Sequence, residues 1–140
     1  MTYSKSIGNV SINYNNFNKD EIQKNPMYMP DSNAAKLAGD MLKEKMAEMD
    51  SVGGIIECVV AGMPTGVGEP VFDKLDANLA KAIMSIGAVK GIEIGDGFAV
   101  ATSTGSKDND GFKVENGHIS KTSNHAGGVL GGISDGSPIV

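Results

Sequence analysis

Two histidines are the side chains of this sequence best suited to acid–base chemistry at neutral pH, because the ordinary pKa of an imidazole is about 6.5. His118 stands directly after Asn116-Gly117 in a polar stretch, which is typical of an exposed loop residue without a catalytic role. His125 precedes the tight run 126–128, and this setting favours a structural hydrogen bond over general acid–base catalysis. Neither histidine has a second metal ligand at i+3 or i+4 on a helix, so the spacing predicts no metal site.

The other reactive side chains also favour structural roles. Cys58 lies in a short apolar run with no base beside it, and the sequence predicts an inert thiol in the core. Asp73 and Asp76 are typical of negative charge at a helix N-terminus, and Asp108 and Asp110 are typical of a solvated loop. For each of these side chains the sequence therefore favours a structural role over a catalytic one.

Two glycine-rich segments could bring backbone N–H groups close to a ligand. The first, residues 62–70 (GMPTGVGEP), lacks the Lys-Ser/Thr pair of a phosphate-binding P-loop. The second, residues 124–136 (NHAGGVLGGISDG), is richer in glycine. Its composition is equally compatible with the close approach of a flat ligand to the main chain and with a tightly packed crossing of strands.

Composition restricts the partners of the chain. Twelve basic residues stand against 17 acidic ones, and the net charge of −5 argues against nucleic acid and anionic membranes as partners. All the basic residues are lysines, so the guanidinium groups that usually bind phosphates and carboxylates would have to come from elsewhere. No apolar run approaches the roughly 20 residues of a membrane span, and no secretory leader follows Met1. We therefore expect a cytoplasmic protein without a membrane partner.

Two amphipathic helices are predicted from apolar residues that recur at three- and four-residue spacing. The first covers residues 33–50, and Asp31 or Ser32 is its expected N-cap. The second covers residues 72–86. Both are flanked by segments with strand and turn patterns, which indicates a mixed α and β fold.

Strand patterns are short alternating or β-branched runs between glycines and prolines. They predict strands over residues 1–14 (interrupted at Gly8-Asn9), 55–61, 89–94 and 98–101. Residues 15–30 are predicted to be a loop with one helical turn at 19–24, and residues 103–123 a polar loop with room for a hairpin.

Three blocks of the sequence carry a family resemblance. They are GVGEPVFDKLDANLAKAIMSIGAVKGIEIGDGF at 66–98, Gly105-Ser106 with Asn109-Asp110, and NHAGGVLGGISDGSPIV at 124–140. In order and spacing they resemble the chorismate synthases, and the resemblance covers nearly all of residues 1–140, most weakly residues 15–50. It implies an α/β fold of the α+β type, a chorismate-synthase-like β-α-β sandwich present as a partial domain, with residues 1–140 as the incomplete central portion.

The resemblance implies a lyase of the shikimate pathway. This family eliminates phosphate from 5-enolpyruvylshikimate 3-phosphate in an anti-1,4 sense to give chorismate, and it needs reduced FMN although no net redox change occurs. The resemblance also implies NADPH as a candidate reductant of the flavin and a homotetramer as the assembly.

Within this chain the resemblance implies flavin contacts at Gly87, Ala88 and Gly131. Many family members have asparagine at the position of Gly87, so a backbone contact is expected there. The family's catalytic histidine motifs, its arginine-bearing segments and its acidic motif do not occur in these 140 residues. The alternative function is a non-catalytic flavin-binding or assembly fragment that needs a companion chain.

The polypeptide of residues 1–140 alone is expected to show no chorismate synthase activity, because it offers neither the family's acid–base motifs nor any arginine for an anionic substrate. The measurement is an anaerobic assay of chorismate formation with reduced FMN and 5-enolpyruvylshikimate 3-phosphate. Turnover above background, in a preparation from a host that lacks its own enzyme, would contradict this expectation.

Overall fold

The computed structural model describes residues 1–115 and 117–140 and divides the chain into two units. The first unit covers Met1–Cys58 and the second covers Val59–Val140. In the part of the chain that the structure describes, no helix is long and apolar enough to cross a membrane.

The first unit has a three-stranded antiparallel sheet and one long helix. The strands are β1 (Thr2–Ile7), β2 (Val10–Ser11) and β3 (Gly54–Cys58), in the order β2-β1-β3, and the helix is α1 (Ser32–Ala47). The single interrupted strand predicted over residues 1–14 is therefore a hairpin. Gly8 turns the chain with φ +56°, and a Cβ at this position would lie 2.8 Å from the sulfur of Met41.

Helix α1 begins where the sequence predicts, with Asp31 as its N-cap. The Oδ1 atom of Asp31 accepts hydrogen bonds from the N–H groups of Asn33 (3.0 Å) and Ala34 (3.2 Å), and Oδ2 accepts one from the N–H of Asn13 (3.0 Å). Burial raises the pKa of Asp31, but these backbone hydrogen bonds outweigh burial and hold the pKa below its ordinary value. One carboxylate therefore starts the helix and also attaches it to the segment after β2.

The buried face of α1 is narrower than its apolar spacing predicts. It consists of Ala34, Ala35 and Ala38, whereas Leu37 is 60% exposed and Met49, at the predicted end of the helix, is 96% exposed. Small alanines permit a close approach to neighbouring segments. The rest of the core of this unit comes from the strands and from the loop before the helix: Tyr3, Ile12, Ile22 and Met29.

A second polar centre in this unit is the half-buried carboxylate of Glu57 on β3. It accepts hydrogen bonds from Tyr3 on the neighbouring strand, from the Oη of Tyr14 at 2.9 Å and from the Nζ of Lys5 at 2.6 Å. Burial raises the pKa of Glu57, but the side-chain hydrogen bonds, first that from Lys5, outweigh it and lower the pKa. These donors tie the outer strand β3 to β1 and to the loop that follows β2.

The second unit contains one main helix and two antiparallel β-hairpins. They are helix α2 (Leu75–Met84), the hairpin β4 (Phe112–Glu115) with β5 (His118–Lys121), and the hairpin β6 (Val129–Leu130) with β7 (Ile133–Ser134). A 3-10 turn (Val71–Asp73) precedes α2, and a four-residue helix, α3 (Gly105–Asp108), precedes β4. The helix predicted over 72–86 is present. A hairpin is also present within residues 103–123, where the sequence allowed one.

Two predicted strands are wrong. Residues 89–94 form no strand, and residues 98–101 lie in a 3-10 helix (Gly97–Thr102). The Oε1 atom of Glu93 accepts a hydrogen bond from the N–H of Phe98 at 3.2 Å. A side chain from residues 89–94 thus binds a backbone N–H group in the first turn of this short helix. Alternating polarity predicted a strand here, but no partner strand pairs with either segment in the described chain.

We expect the polypeptide of residues 1–140 to bind hydrophobic dye and to self-associate, because large apolar side chains are exposed on both units. On the β4–β5 hairpin, Val114 and its cross-strand neighbour Ile119 are 75% and 76% exposed. Replacing both by threonine keeps β propensity and should lower dye fluorescence and light scattering. A monodisperse monomer with a sharp cooperative melt and no dye binding, before any substitution, would contradict this expectation.

Candidate functional site

Gly87 and Ala88 lie three and four residues beyond Met84, the last residue of α2, and both are exposed. Ala88 has φ +69°, a left-handed backbone that is uncommon for a residue with a side chain. A Cβ built on Gly87 would meet no atom within 4 Å. The N–H groups of the two residues take no part in the hydrogen bonds found among the residues that the structure describes, so they are available to a ligand.

Gly131 and Gly132 form the two-residue turn of the β6–β7 hairpin, with φ +62° and +86°. Positive φ at both positions is typical of a type I′ turn, which glycine adopts without strain. A Cβ at Gly131 would face open space, whereas one at Gly132 would lie 2.5 Å from the side chain of Lys74. Of the two, only Gly131 presents unobstructed backbone to the surroundings.

The structure does not bring the two predicted flavin-contacting regions into contact. The carbonyl of Gly132 accepts a hydrogen bond from the N–H of Leu75 at 2.7 Å, which fixes the hairpin turn against the N-terminal end of α2. Gly87 and Ala88 follow the opposite end of the same helix, and ten helical residues span about 15 Å. The two regions are therefore separated by about the length of α2.

The glycines of the stretch at 124–136 differ in what surrounds them. A Cβ at Gly127 would overlap main-chain atoms of Gly95, and one at Gly128 would lie 2.6 Å from the carbonyl of Pro138. These glycines belong to a tight backbone crossing. Gly131 is the open position of the stretch, and it is also the residue at which the resemblance implies a flavin contact.

Asp110 of the second unit, which the sequence placed in a solvated loop, has a carboxylate with several hydrogen-bond donors. That prediction is wrong, because Asp110 is only 8% exposed. Its carboxylate accepts hydrogen bonds from the Oγ of Ser123 (2.7 Å) and from the N–H groups of His125 (2.8 Å) and Ala126 (3.0 Å). The signal available in the sequence was the Asn109-Asp110 pair within the family blocks.

Lys121 places a buried positive charge beside this carboxylate. Its Nζ lies 3.5 Å from Asp110 and also forms an ion pair with Asp135, and the side chain of Lys121 is 7% exposed. Burial raises the pKa of Asp110, but the hydrogen bonds from Ser123 and the backbone, together with the lysine charge, outweigh it and hold the pKa far below its ordinary value. The lysine joins the end of β5 to the segment after β7.

His125 makes the structural hydrogen bonds that its sequence setting favours. Its N–H donates to Asp110, and its carbonyl accepts from the N–H of Asp96 at 2.8 Å. Its ring Nδ1 lies 2.7 Å from the Oδ2 of Asp96, and this hydrogen bond raises the pKa of the imidazole. One oxygen of Asp108 also lies within 4.8 Å of the ligand atoms of this pair.

Cys58 is exposed, so the prediction of a core thiol is wrong. It ends the outer strand β3, where its sulfur accepts a hydrogen bond from the Oγ1 of Thr2 at 3.3 Å. Strand composition did not reveal that β3 has a partner on one side only in the described chain.

Comparisons with known proteins agree with this architecture. Residues 1–140 match the family model of chorismate synthase. The chain is 56% identical to the chorismate synthase of Agathobacter rectalis over 140 residues, which are 100% of this chain and 38% of that protein. It is 46% identical over 136 residues to the chorismate synthase of Methanobrevibacter smithii, covering 96% of this chain and 37% of that protein. A crystal structure of chorismate synthase superimposes with a TM-score of 0.88 at 27% identity, over 99% of this chain and 46% of that chain.

The order of helices and strands and the structural similarity define a mixed α and β chain of the α+β type. The chain belongs to the chorismate synthase family, whose enzymes are lyases. It spans about 38% of the length of the curated relatives it matches.

Removing the charge of Asp110 should destabilise the second unit. We expect Asp110→Asn to lower the free energy of unfolding at pH 7 by about 2 kcal/mol, because hydrogen bonds to a buried charge are lost and Lys121 loses a partner. The pKa of Asp110 is lower in the folded than in the unfolded state, so its contribution is complete above about pH 5 and is lost as the pH falls below about 4.

Urea unfolding followed by circular dichroism at pH 7 and pH 3 tests this prediction. The unsubstituted chain should lose more stability between these pH values than the Asp110→Asn variant. Asp76→Asn is the matched control, since it removes a partly exposed carboxylate whose ion pair with Lys74 contributes little. Equal stability of Asp110→Asn and the unsubstituted chain at pH 7 would show that this carboxylate does not order the unit.

Proposed function

We propose that this chain supplies part of the reduced-FMN site of a chorismate synthase, the enzyme that eliminates phosphate from 5-enolpyruvylshikimate 3-phosphate to give chorismate. Family membership over residues 1–140 supports the assignment. The observation that carries it is the open space where a Cβ on Gly87 or Gly131 would stand, together with the absence of hydrogen bonds from the N–H groups of Gly87, Ala88 and Gly131 among the residues that the structure describes. Such backbone can approach the flat face or a polar edge of a flavin without a side chain intervening.

The residues present are suited to flavin contact rather than to acid–base work. Gly87 and Gly131 have no Cβ, and each has at least 4 Å of open space where a Cβ would stand. When bound, reduced FMN would supply electron density to the substrate as phosphate departs, with NADPH proposed as the source of reducing equivalents. The role of this chain would be to fix the position of the flavin through main-chain donors and to exclude water from its edge.

Most of the groups that bind the anionic substrate are proposed to lie outside these 140 residues. 5-Enolpyruvylshikimate 3-phosphate carries a phosphate and carboxylates, whereas the chain has net charge −5 and no arginine. The buried Lys121 is already paired with two carboxylates. We propose that other segments of the family's chain supply the guanidinium groups and the catalytic histidines, within a homo-oligomer that is a tetramer.

A second candidate function is a non-catalytic flavin-binding or assembly fragment that works with a companion chain. The observation that favours it is the exposed apolar surface, which includes Phe72 (90% exposed) and Phe98 (78% exposed) in the second unit. Surface of this kind is suited to covering by another polypeptide. The two functions differ in whether adding the remaining family segments in trans restores turnover or only flavin binding.

Gly131→Val tests the proposed flavin contact. In an assembly reconstituted from this chain and the remaining family segments, we expect FMN affinity to fall about tenfold or more, equivalent to about 1.4 kcal/mol. The valine would place a branched side chain where the ligand must approach, and it would disfavour φ +62°. The measurement is quenching of FMN fluorescence, with circular dichroism to confirm folding.

Gly117→Val is the matched control for backbone strain. Gly117 is an exposed hairpin residue with φ +78°, and a Cβ there also meets no atom within 4 Å. The control should carry a similar conformational cost and bind FMN normally. Equal FMN affinity in the two variants would place the flavin contact elsewhere than at Gly131.

A further inference from the structure

We propose that Asp96, Asp108 and His125 form a binding site for a first-row divalent metal cation such as Mn²⁺. The three residues come from separate segments of the second unit: the turn before the 3-10 helix, the end of α3 and the loop before β6. This site is distinct from the exposed glycines proposed to contact flavin.

The ligand atoms are already close together. One ligand atom from each of the three residues lies within 4.8 Å of the others, and Nδ1 of His125 is 2.7 Å from Oδ2 of Asp96. Ligand atoms about 2.1 Å from a metal lie about 3 Å apart when the angle at the metal is about 90°. Small side-chain rotations would therefore bring all three atoms within bonding distance of one cation.

An unsatisfied oxygen gives an independent indication of a missing ligand. Oδ1 of Asp108 is buried from solvent and has no hydrogen-bond partner among the residues that the structure describes. A buried carboxylate oxygen without a donor is energetically costly, and such atoms are rare in folded proteins. A cation would satisfy this oxygen.

The local charge also favours a cation. No lysine forms an ion pair with Asp96 or Asp108 among the described residues, and the buried Lys121 is paired with two other carboxylates. Among the described ion pairs, the only group that could counter either charge is the imidazole of His125, which lies beside Asp96 and is charged only when protonated. A divalent cation would neutralise both carboxylates and leave the imidazole free to coordinate as a neutral ligand.

The backbone holds two of the ligands in fixed positions. The N–H of Asp96 donates to the carbonyl of His125 at 2.8 Å, and the N–H of His125 donates to Asp110 at 2.8 Å. One imidazole nitrogen with two carboxylate oxygens suits Mn²⁺, Fe²⁺ or Zn²⁺ better than Mg²⁺ or Ca²⁺, which prefer oxygen alone. Three protein ligands leave further coordination positions for water or for a ligand oxygen.

Titration of the full chain with Mn²⁺ tests the proposal, because the electron paramagnetic resonance signal of free Mn²⁺ decreases as the ion binds. Mn²⁺ has little affinity for thiols, so the exposed Cys58 does not compete. We expect one equivalent to bind saturably, and about tenfold or greater weakening in Asp108→Asn and in His125→Gln. Asp76→Asn, which removes a carboxylate paired with Lys74, should bind as the unsubstituted chain does.

Absence of saturable binding would overturn the proposal. So would undiminished binding in both ligand variants, or equal weakening in the Asp76→Asn control. Circular dichroism checks the fold of each variant. Should both ligand variants fail to fold, broadening of the imidazole resonances of His125 by substoichiometric Mn²⁺ in the unsubstituted chain decides the question, and unbroadened resonances would contradict the site.

Discussion

The carboxylate of Asp110 is the constraint on which the second unit most depends. Its oxygens satisfy two consecutive backbone N–H groups, those of His125 and Ala126, and one hydroxyl. A loop held in this way has little freedom, so the carbonyl of His125 is presented to the N–H of Asp96. The turn before the 3-10 helix is thereby fixed relative to the segment leading into β6, although nearly thirty residues separate them in the sequence.

The glycines near Asp110 allow the close approach of backbone segments that its hydrogen bonds require. Once the segment at 124–128 is fixed, the main chain of Gly95 runs so close to Gly127 that neither residue could carry a Cβ. The carbonyl of Val140 accepts a hydrogen bond from the N–H of Gly95, which brings the final residue into the same crossing. The glycine-rich composition is therefore divided between packing of backbone on backbone and an exposed turn at Gly131, where no such packing occurs.

Local periodicity and capping could be predicted from the sequence, whereas pairing and burial of polar groups could not. The helices at Ser32–Ala47 and Leu75–Met84 follow from apolar spacing, and the cap at Asp31 follows from residue type. The alternation at 89–94 predicted a strand, but a strand also requires a partner strand. Whether one is present depends on residues outside this segment. Burial of Asp110 depends on donors more than ten residues away, which no local pattern specifies. For the same reason, spacing along one helix could not indicate that Asp96, Asp108 and His125, from three segments, lie close together.

The carboxylates discussed above have their hydrogen bonds, whereas many large apolar side chains of this chain are not buried. The buried carboxylates at Asp31 and Asp110 find all their donors within their own units, as does the half-buried Glu57. Large apolar side chains such as Ile56 (72% exposed) and Phe72 do not find comparable cover. Hydrogen bonds are directional and specify local geometry, whereas apolar burial scales with area and is limited in units of this size. The local geometry of each unit can thus be set by its own residues, while these large apolar side chains stay in contact with water.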